Sequence, residues 1–398
     1  IPGKGKTEQR RVVPIRRNEV KLEEQAAQSD VIEFTDEANE MHRIGVIDIP
    51  TFYQDFEAYR NGNKNYRSTT RDVQRLIDEL VAEGVEGLII DLRDNGGGSL
   101  QEANQLTGLF IEYGPTVQIR SSASRVLRDG KRRKSNYYDG PLAVMINRLS
   151  ASASEIFAGA IQDYGRGIIL GERSFGKGTV QSLVALQEGQ LKITESKFYR
   201  ISGESTQHRG VLPDILFPSL FDPTQIGESA LDNALAWDQI TPIRFNRYND
   251  YRLILPALTR LHRERAANDP DYVYLEDRVA VAQEARELTA LPLMQSGRLA
   301  MLDDQDEKAL AIENKRRVAK GLEPLTSLDD GESDAASEQG QENSKLEDAT
   351  AARAEKQDSD VLLMETGRIL VDAITLRPDT DVAKRGAPGT FGPIPRSP

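Results

Sequence analysis

Cysteine is absent from this chain of 398 residues. Disulfides, thiolate nucleophiles and cysteine-based metal sites are therefore excluded. The absence fits a cytoplasmic or a periplasmic setting and does not choose between them. Histidine is almost as scarce. His42, His208 and His262 are scattered in no metal-ligand spacing, and a Ser-His-Asp triad would have to draw on one of them. No run of eighteen or more apolar residues occurs, so no segment has the pattern of a membrane-spanning helix. An excess of positive charge is lacking too. The 51 Lys and Arg stand against 63 Asp and Glu, a net charge of −12, which argues against a nucleic-acid face and a polybasic membrane anchor. The basic stretch "RDGKRRKSN" (128–136) reads as a solvated loop. The sequence opens on Ile1 without a signal-peptide pattern, and so reads as a processed or partial chain.

What is present is the pattern of an α/β protein. "GVIDIPTFY" (45–53) has strand content. "TTRDVQRLIDELVAEG" (69–84) spaces Val73, Leu76, Ile77, Leu80 and Val81 for a helix that stops at Gly84. "GLIIDL" (87–92), "PLAVMIN" (141–147) and "GIILGE" (167–172) are short apolar runs suited to strands buried on both faces. Helical patterns at 100–111 and 154–165 lie between them, which predicts parallel pairing. Beyond residue 180 the stretches "TVQSLVAL", "QLKITESKFYRI" and "GVLPDILF" read as further strands. From about 226 the chain turns rich in Leu, Ala, Glu and Arg at helical spacing, as in 252–267 and 277–291. Residues 326–360 are acidic, Ser-rich and free of aromatics, the composition of a flexible segment. A last amphipathic helix is expected over 359–376. Trp237, the single tryptophan, reads as a packing residue.

"GERSFGKGT" (171–179) nearly spells a phosphate-binding loop. It fails on two counts. The residue after Lys177 is Gly178, where a magnesium-binding Ser or Thr belongs. The stretch beyond it is β-branched and apolar, not the helix whose amides would face the phosphates. A different use for Lys177 comes from "NRLSASASEIFAGA" (147–160), where three serines alternate with small residues as a buried strand gives way to a helix. A serine hydroxyl there lies beside helix N-terminal amides able to hold an oxyanion. Ser152 is the candidate nucleophile and Ser154 a candidate cap; Ser150 and Ser154 are the alternatives. A serine needs a base, and no histidine presents itself. A lysine amine serves once burial and the lack of a counter-ion bring its pKa toward neutral. Lys177 is the candidate, with Gln181 as the polar neighbour that would orient it.

Residues 150–181, "SASASEIFAGAIQDYGRGIILGERSFGKGTVQ", strongly resemble the C-terminal processing peptidases, or tail-specific proteases. "LIIDLRDNGGG" (88–98) resembles their glycine-rich strand-end motif, and "FYRISGESTQHRGVLPDILFP" (198–218) the segment they carry after the lysine. The resemblance covers about residues 15–240 and is nearest to the long Prc/Tsp type of the Gram-negative periplasm.

It implies a ClpP/crotonase-like α/β core with a helical C-terminal extension. It implies a serine–lysine dyad of Ser152 and Lys177, 25 positions apart, with Gln181 orienting Lys177. The oxyanion hole would use the amide of Ala153 and that of a glycine, Gly98 first and Gly97 next. It implies a PDZ domain ahead of the core. Here "RRVVPIRRNEVKL" resembles only the end of such a domain, so its peptide groove would lie outside these residues. The expected divisions are a PDZ remnant and linker at 1–30, the protease core at 31–225 and a helical region at 226–325. The acidic segment at 326–360 and a terminal helix with its tail at 361–398 complete the chain. The expected activity is that of a serine endopeptidase acting on periplasmic polypeptides selected by their C-termini, near the inner membrane face, without metal or cofactor. An adaptor protein or a second copy of the chain would dock on the helical region. The alternatives are a gated or inactive peptide-binding scaffold and, more remotely, acyl-CoA chemistry on the same core.

Overall fold

The structure is a computed structural model that describes residues 26–36, 38–63, 65–131, 137–248, 251–328 and 360–376. Most of the expected PDZ remnant, most of the acidic segment and the C-terminal tail lie outside the described residues.

Six strands build the main sheet. β1 (Gln28–Thr35) and β2 (Met41–Asp48) form an antiparallel hairpin in which Ile32 faces Ile44. β3 (Gly87–Asp91) joins β2 in parallel. β6 (Leu142–Ile146), β7 (Ile168–Gly171) and the two-residue β10 (Ile215–Leu216) continue that direction, in the order β1-β2-β3-β6-β7-β10. Every residue of β3, β6 and β7 is buried, Asp91 at the end of β3 included, as their apolar runs predict.

Alternation along these strands feeds two cores. Leu88, Ile90, Leu142, Val144, Ile146 and Ile169 face α2 (Thr69–Ala82), α3 (Leu100–Phe110) and α4 (Ala153–Tyr164) through Val73, Ile77, Leu106, Phe110 and Phe157. Ile89, Ala143, Met145, Ile168 and Leu170 face the other way. They meet α5 (Leu255–Ala266) and the terminal helix α8 (Val361–Thr375) through Leu258, Leu363, Ile369 and Leu370. Gly87 shows how close α8 comes, because a Cβ there would lie 3.0 Å from a methyl of Leu370. The last helix thus closes one face of the core.

A second, antiparallel sheet runs β5-β4-β9-β8, from β4 (Gly114–Ser121), β5 (Val126–Lys131), β8 (Thr179–Ala185) and β9 (Gln190–Tyr199). Here the structure corrects the sequence reading. The front of the basic stretch 128–136 is strand β5 rather than loop, recruited by pairing with β4; residues 132–136 lie outside the described residues. The strand expected over 210–217 shrinks to β10. The helical pattern does not begin at 226 either. Apart from one short turn at Glu228–Ala230, residues 226–248 run irregularly over the core. Trp237 stacks under the Arg209 guanidinium, and its indole N–H donates to the Ser205 carbonyl at 2.9 Å, so it is indeed a packing residue. α5, α6 (Pro270–Glu287) and α7 (Gln295–Ala319) come next. The short α1 (Phe56–Arg60) flanks the glycine loop.

Candidate active site

Parallel sheets gather their loops at the carboxyl ends of the strands, which is where ligands bind in such folds. Three loops meet there: 92–99 after β3, 147–152 after β6 and 172–178 after β7.

The serine loop settles which hydroxyl is available. Ser150 Oγ donates to the Leu92 carbonyl at 2.7 Å, and Ser154 Oγ donates to the Asn95 carbonyl at 2.9 Å. Both residues are fully buried. Ser152 is left at the mouth of a cleft of about 680 Å³. It is also the N-cap residue of α4, so the expected cap at Ser154 is not seen; Ser154 lies one position inside the helix. Ser152 has φ 57 and ψ −107, a conformation that L-residues avoid and that costs on the order of 1–3 kcal/mol. Such strain is characteristic of a side chain thrust outward at a strand-to-helix turn.

The glycine loop is shaped around that turn. A Cβ on Gly97 would lie 2.8 Å from the Ala151 carbonyl oxygen and 2.9 Å from the Ser152 Cβ. A Cβ on Gly98 would strike the Phe52 carbonyl oxygen at 2.2 Å. Gly97 therefore lets the serine turn approach, and Gly98 lets the loop pair with Phe52. Their amides differ in availability. Gly97 N–H donates to Asn95 Oδ1 at 2.8 Å and is already used. Gly98 N–H has no partner among the described residues, and Gly98 lines the cleft with Ala153. Ala153 is the first residue of α4, where an amide lacks an intrahelical acceptor. The Ala153, Gly98 and Gly96 amides thus make no hydrogen bond among the described residues, and all three residues line the cleft with Ser152.

Lys177 reaches the same cleft. Its flanking glycines let the loop lie flat on residues 205–208. A Cβ on Gly176 would lie 2.9 Å from the His208 backbone, and one on Gly178 would lie 2.7 Å from the Gln207 nitrogen. No helix succeeds the lysine; β8 does, and the phosphate-loop reading fails as expected. The Lys177 amine has no hydrogen bond or ion pair among the described residues. Burial pushes its pKa below the ordinary lysine value and the Lys192 ammonium adds to this, while Glu228 and Glu155 pull the other way. Gln181 lines the cleft too, but its amide donates to Thr194 Oγ1 at 3.5 Å and makes no bond to Lys177 among the described residues.

One residue missed by the sequence reading ties these loops together. Glu155, wholly buried on α4, accepts from Ser152 N–H at 2.8 Å, Ser174 Oγ at 2.6 Å, Gly176 N–H at 2.7 Å and Lys177 N–H at 2.8 Å. A single carboxyl group thus fixes the backbone of both candidate catalytic residues. Burial pushes its pKa up to about 7 against the pull of these four donors. The S-x-x-E spacing from Ser152 is a helix-start signal visible in the sequence; the reach to Lys177 is not. Asn95 is the second missed residue. Its amide donates to the Ile49 carbonyl at 2.7 Å, and its own carbonyl accepts from Ala151 N–H at 2.9 Å. It carries no local signal. The remaining lining includes Phe56, Leu100, Ile156, Val180 and Phe198, an apolar wall.

Residues 43–217 match the model of peptidase family S41, and residues 221–375 match the C-terminal domain of tail specific protease. A tail-specific protease of Haemophilus influenzae is 40% identical over 332 residues, covering 80% of this chain and 45% of that protein. A chloroplastic C-terminal processing peptidase of Tetradesmus obliquus is 36% identical over 162 residues, covering 40% of this chain and 34% of that protein. Among solved structures, a photosystem II D1 C-terminal processing protease is similar at TM-score 0.39 and 29% identity, over 50% of this chain and 48% of that one. The chain spans less than half the length of these curated relatives. The two matched segments run nearly end to end, and all the loops that build the cleft fall in the first: this chain belongs to peptidase family S41, with the C-terminal domain of the tail-specific proteases following its S41 domain.

Proposed function

We propose that the chain is a serine endopeptidase with a Ser152–Lys177 dyad. The observation that carries this is the shared anchoring of the two residues. Glu155 holds both backbones, the two side chains open into one cleft, and Lys177 has no counter-ion there among the described residues. A substrate segment lies extended in the cleft. The uncharged Lys177 amine takes the Ser152 proton as Oγ bonds to the scissile carbonyl carbon. The amides of Ala153 and Gly98 hold the oxyanion; Gly97, whose amide is used by Asn95, serves the shape of the turn. As the C–N bond breaks, the leaving amine takes the proton from Lys177. Water then attacks the acyl-serine, gives its proton to Lys177, and Ser152 recovers one as the acid product leaves. No step requires a metal or cofactor.

The substrates are periplasmic polypeptides, and the apolar wall favours an apolar side chain next to the cut bond. Selection by C-terminus belongs to the full-length protein, through a PDZ domain ahead of residue 31. An adaptor or a second copy of the chain docks on the helices between 251 and 325. A gated form is the second reading. It is favoured by Gln181, whose amide bonds Thr194 and would have to turn to reach Lys177.

Fluorophosphonate labelling together with casein digestion tests the assignment. The wild-type protein should label at Ser152 and cut casein. Ser152→Ala and Lys177→Ala should each lose cutting by more than about a thousandfold while keeping the fold. Undiminished cutting by Ser152→Ala would move the nucleophile elsewhere. Labelling without digestion would favour the gated form.

A further inference from the structure

We propose that Lys192 is a tuning residue, a second cation in the cleft that keeps the Lys177 amine uncharged and ready to accept a proton. This rests on the reading of Lys177 as the base.

The placement comes from the β8–β9 hairpin. Gln181 pairs with Thr194, and Leu183 pairs with Lys192, one step further out. Residues two apart on a strand share a face, so Gln181, Leu183, Lys192 and Thr194 lie together. Gln181 and Lys192 line the cleft that holds Ser152 and Lys177, which identifies that face as the cleft side. Lys192 is exposed and Lys177 is half-buried. When two ammonium groups compete at close range, the better hydrated one keeps its proton. Lys192 thus brings its exposed side chain to the cleft beside the half-buried Lys177. A cation beside a catalytic lysine is a known way to free its amine.

The other charged groups around Lys177 are engaged with other partners. Glu155, from α4, spends its carboxylate on four donors. Glu228, from the turn after residue 227, accepts from Gln207 Nε2 at 3.0 Å. Asp129, from β5, also lines the cleft, but its carboxylate accepts from Asn104 Nδ2 and from Gly130 N–H. Lys192 has no ion pair among the described residues, so no carboxylate there neutralises it. Glu228 and Glu155 favour the charged form of Lys177, and burial and Lys192 oppose them.

The test titrates Lys177 directly in Ser152→Ala protein, by reductive methylation with labelled formaldehyde and NMR across pH. The result then does not depend on turnover. Lys192→Gln should move the Lys177 midpoint up by about half a pH unit or more, and Lys192→Glu further. Lys192→Arg should leave it in place. The upward shift should shrink in 1 M salt, where the screening length falls to about 3 Å. In active protein the midpoint of the kcat/KM profile should move by the same amount. An unmoved Lys177 titration in both Lys192→Gln and Lys192→Glu overturns the proposal. So does a Lys192→Gln variant that raises only KM, which would make Lys192 a substrate contact. If Lys177 shifts as expected but the kcat/KM profile does not move with it, the tuning stands and the base assignment falls.

Discussion

At Ser152, chemistry and backbone geometry are inseparable. The strained φ of 57 aims the side chain away from the turn, and the neighbouring serines, anchored to Leu92 and Asn95, cannot take its place. As the proposed base, Lys177 carries the pH dependence. Its depressed pKa means that kcat/KM should rise with pH and level off below the ordinary lysine range, because the protonated amine accepts nothing. A pH–rate profile with a midpoint at an ordinary lysine value would contradict the base assignment. Glu155 is a positioning residue. In Glu155→Gln an amide N–H₂ faces one or two of the N–H and O–H donors it now satisfies, so the loops of Ser152 and Lys177 should separate. We expect kcat to fall about a hundredfold or more with KM little changed, while circular dichroism reports a folded protein. A full loss of fold would make Glu155 structural only. Because its folded pKa lies above the ordinary carboxyl value, its ionisation draws on stability. Its contribution is fully present below the ordinary carboxyl pKa of 4.5 and is lost as pH rises through about 7.

Among the elements, α8 shows how the C-terminal domain is joined to the S41 domain. It lays Leu363, Ile369 and Leu370 on the main sheet, and its polar edge meets α5 and α6. Glu365 accepts from Arg265 Nη2 at 2.9 Å and lies 3.0 Å from His262 Nδ1, and Arg265 pairs with Asp372 at 2.6 Å. Burial pushes the Glu365 pKa up, but the hydrogen bonds from His262 and Arg265 outweigh it and hold the group below its ordinary value. A depressed carboxylate contributes stability above the unfolded pKa and loses it as pH falls through the folded pKa. Acid should therefore loosen α8 from α5. The unfolding midpoint in urea should drop below about pH 4.5, and Glu365→Gln should flatten that limb of the curve. An acid limb unchanged in Glu365→Gln would place the sensitivity elsewhere. The second sheet has the opposite character. Leu183, Val184, Leu191 and Ile193 on β8 and β9 are all exposed, and this hairpin carries Gln181 and Lys192 past the cleft.

For the molecule as a whole, the proposed serine–lysine mechanism predicts indifference to chelation. Casein digestion should proceed equally with and without EDTA, and a loss restored by zinc or calcium would require a different mechanism. Much of the core is legible in the sequence. The runs 87–92, 141–147 and 167–172 are apolar but for Asp91, Asn147 and Glu172 near their ends, a pattern suited to strands covered on both sides, and they form β3, β6 and β7. The helix expected over 69–84 is α2, with Gly84 just past its end at φ 79. Segments that owe their shape to partners are not legible. β5 exists because β4 pairs with it, and residues 226–248 track the core surface in spite of a helical composition.

The amino-acid order alone determined the alternation of strand and helix, the place of a serine at a strand-to-helix turn, and a lysine between two glycines, because these are local patterns of polarity and backbone freedom. Tertiary structure decided which of three serines is free, that the Gly97 amide is already taken, and that Glu155 binds the backbones of both Ser152 and Lys177. It also placed Lys192 in the lining of the same cleft. Each of those depends on groups far apart in the chain meeting in space, and no local pattern specifies whose hydrogen bond is already taken.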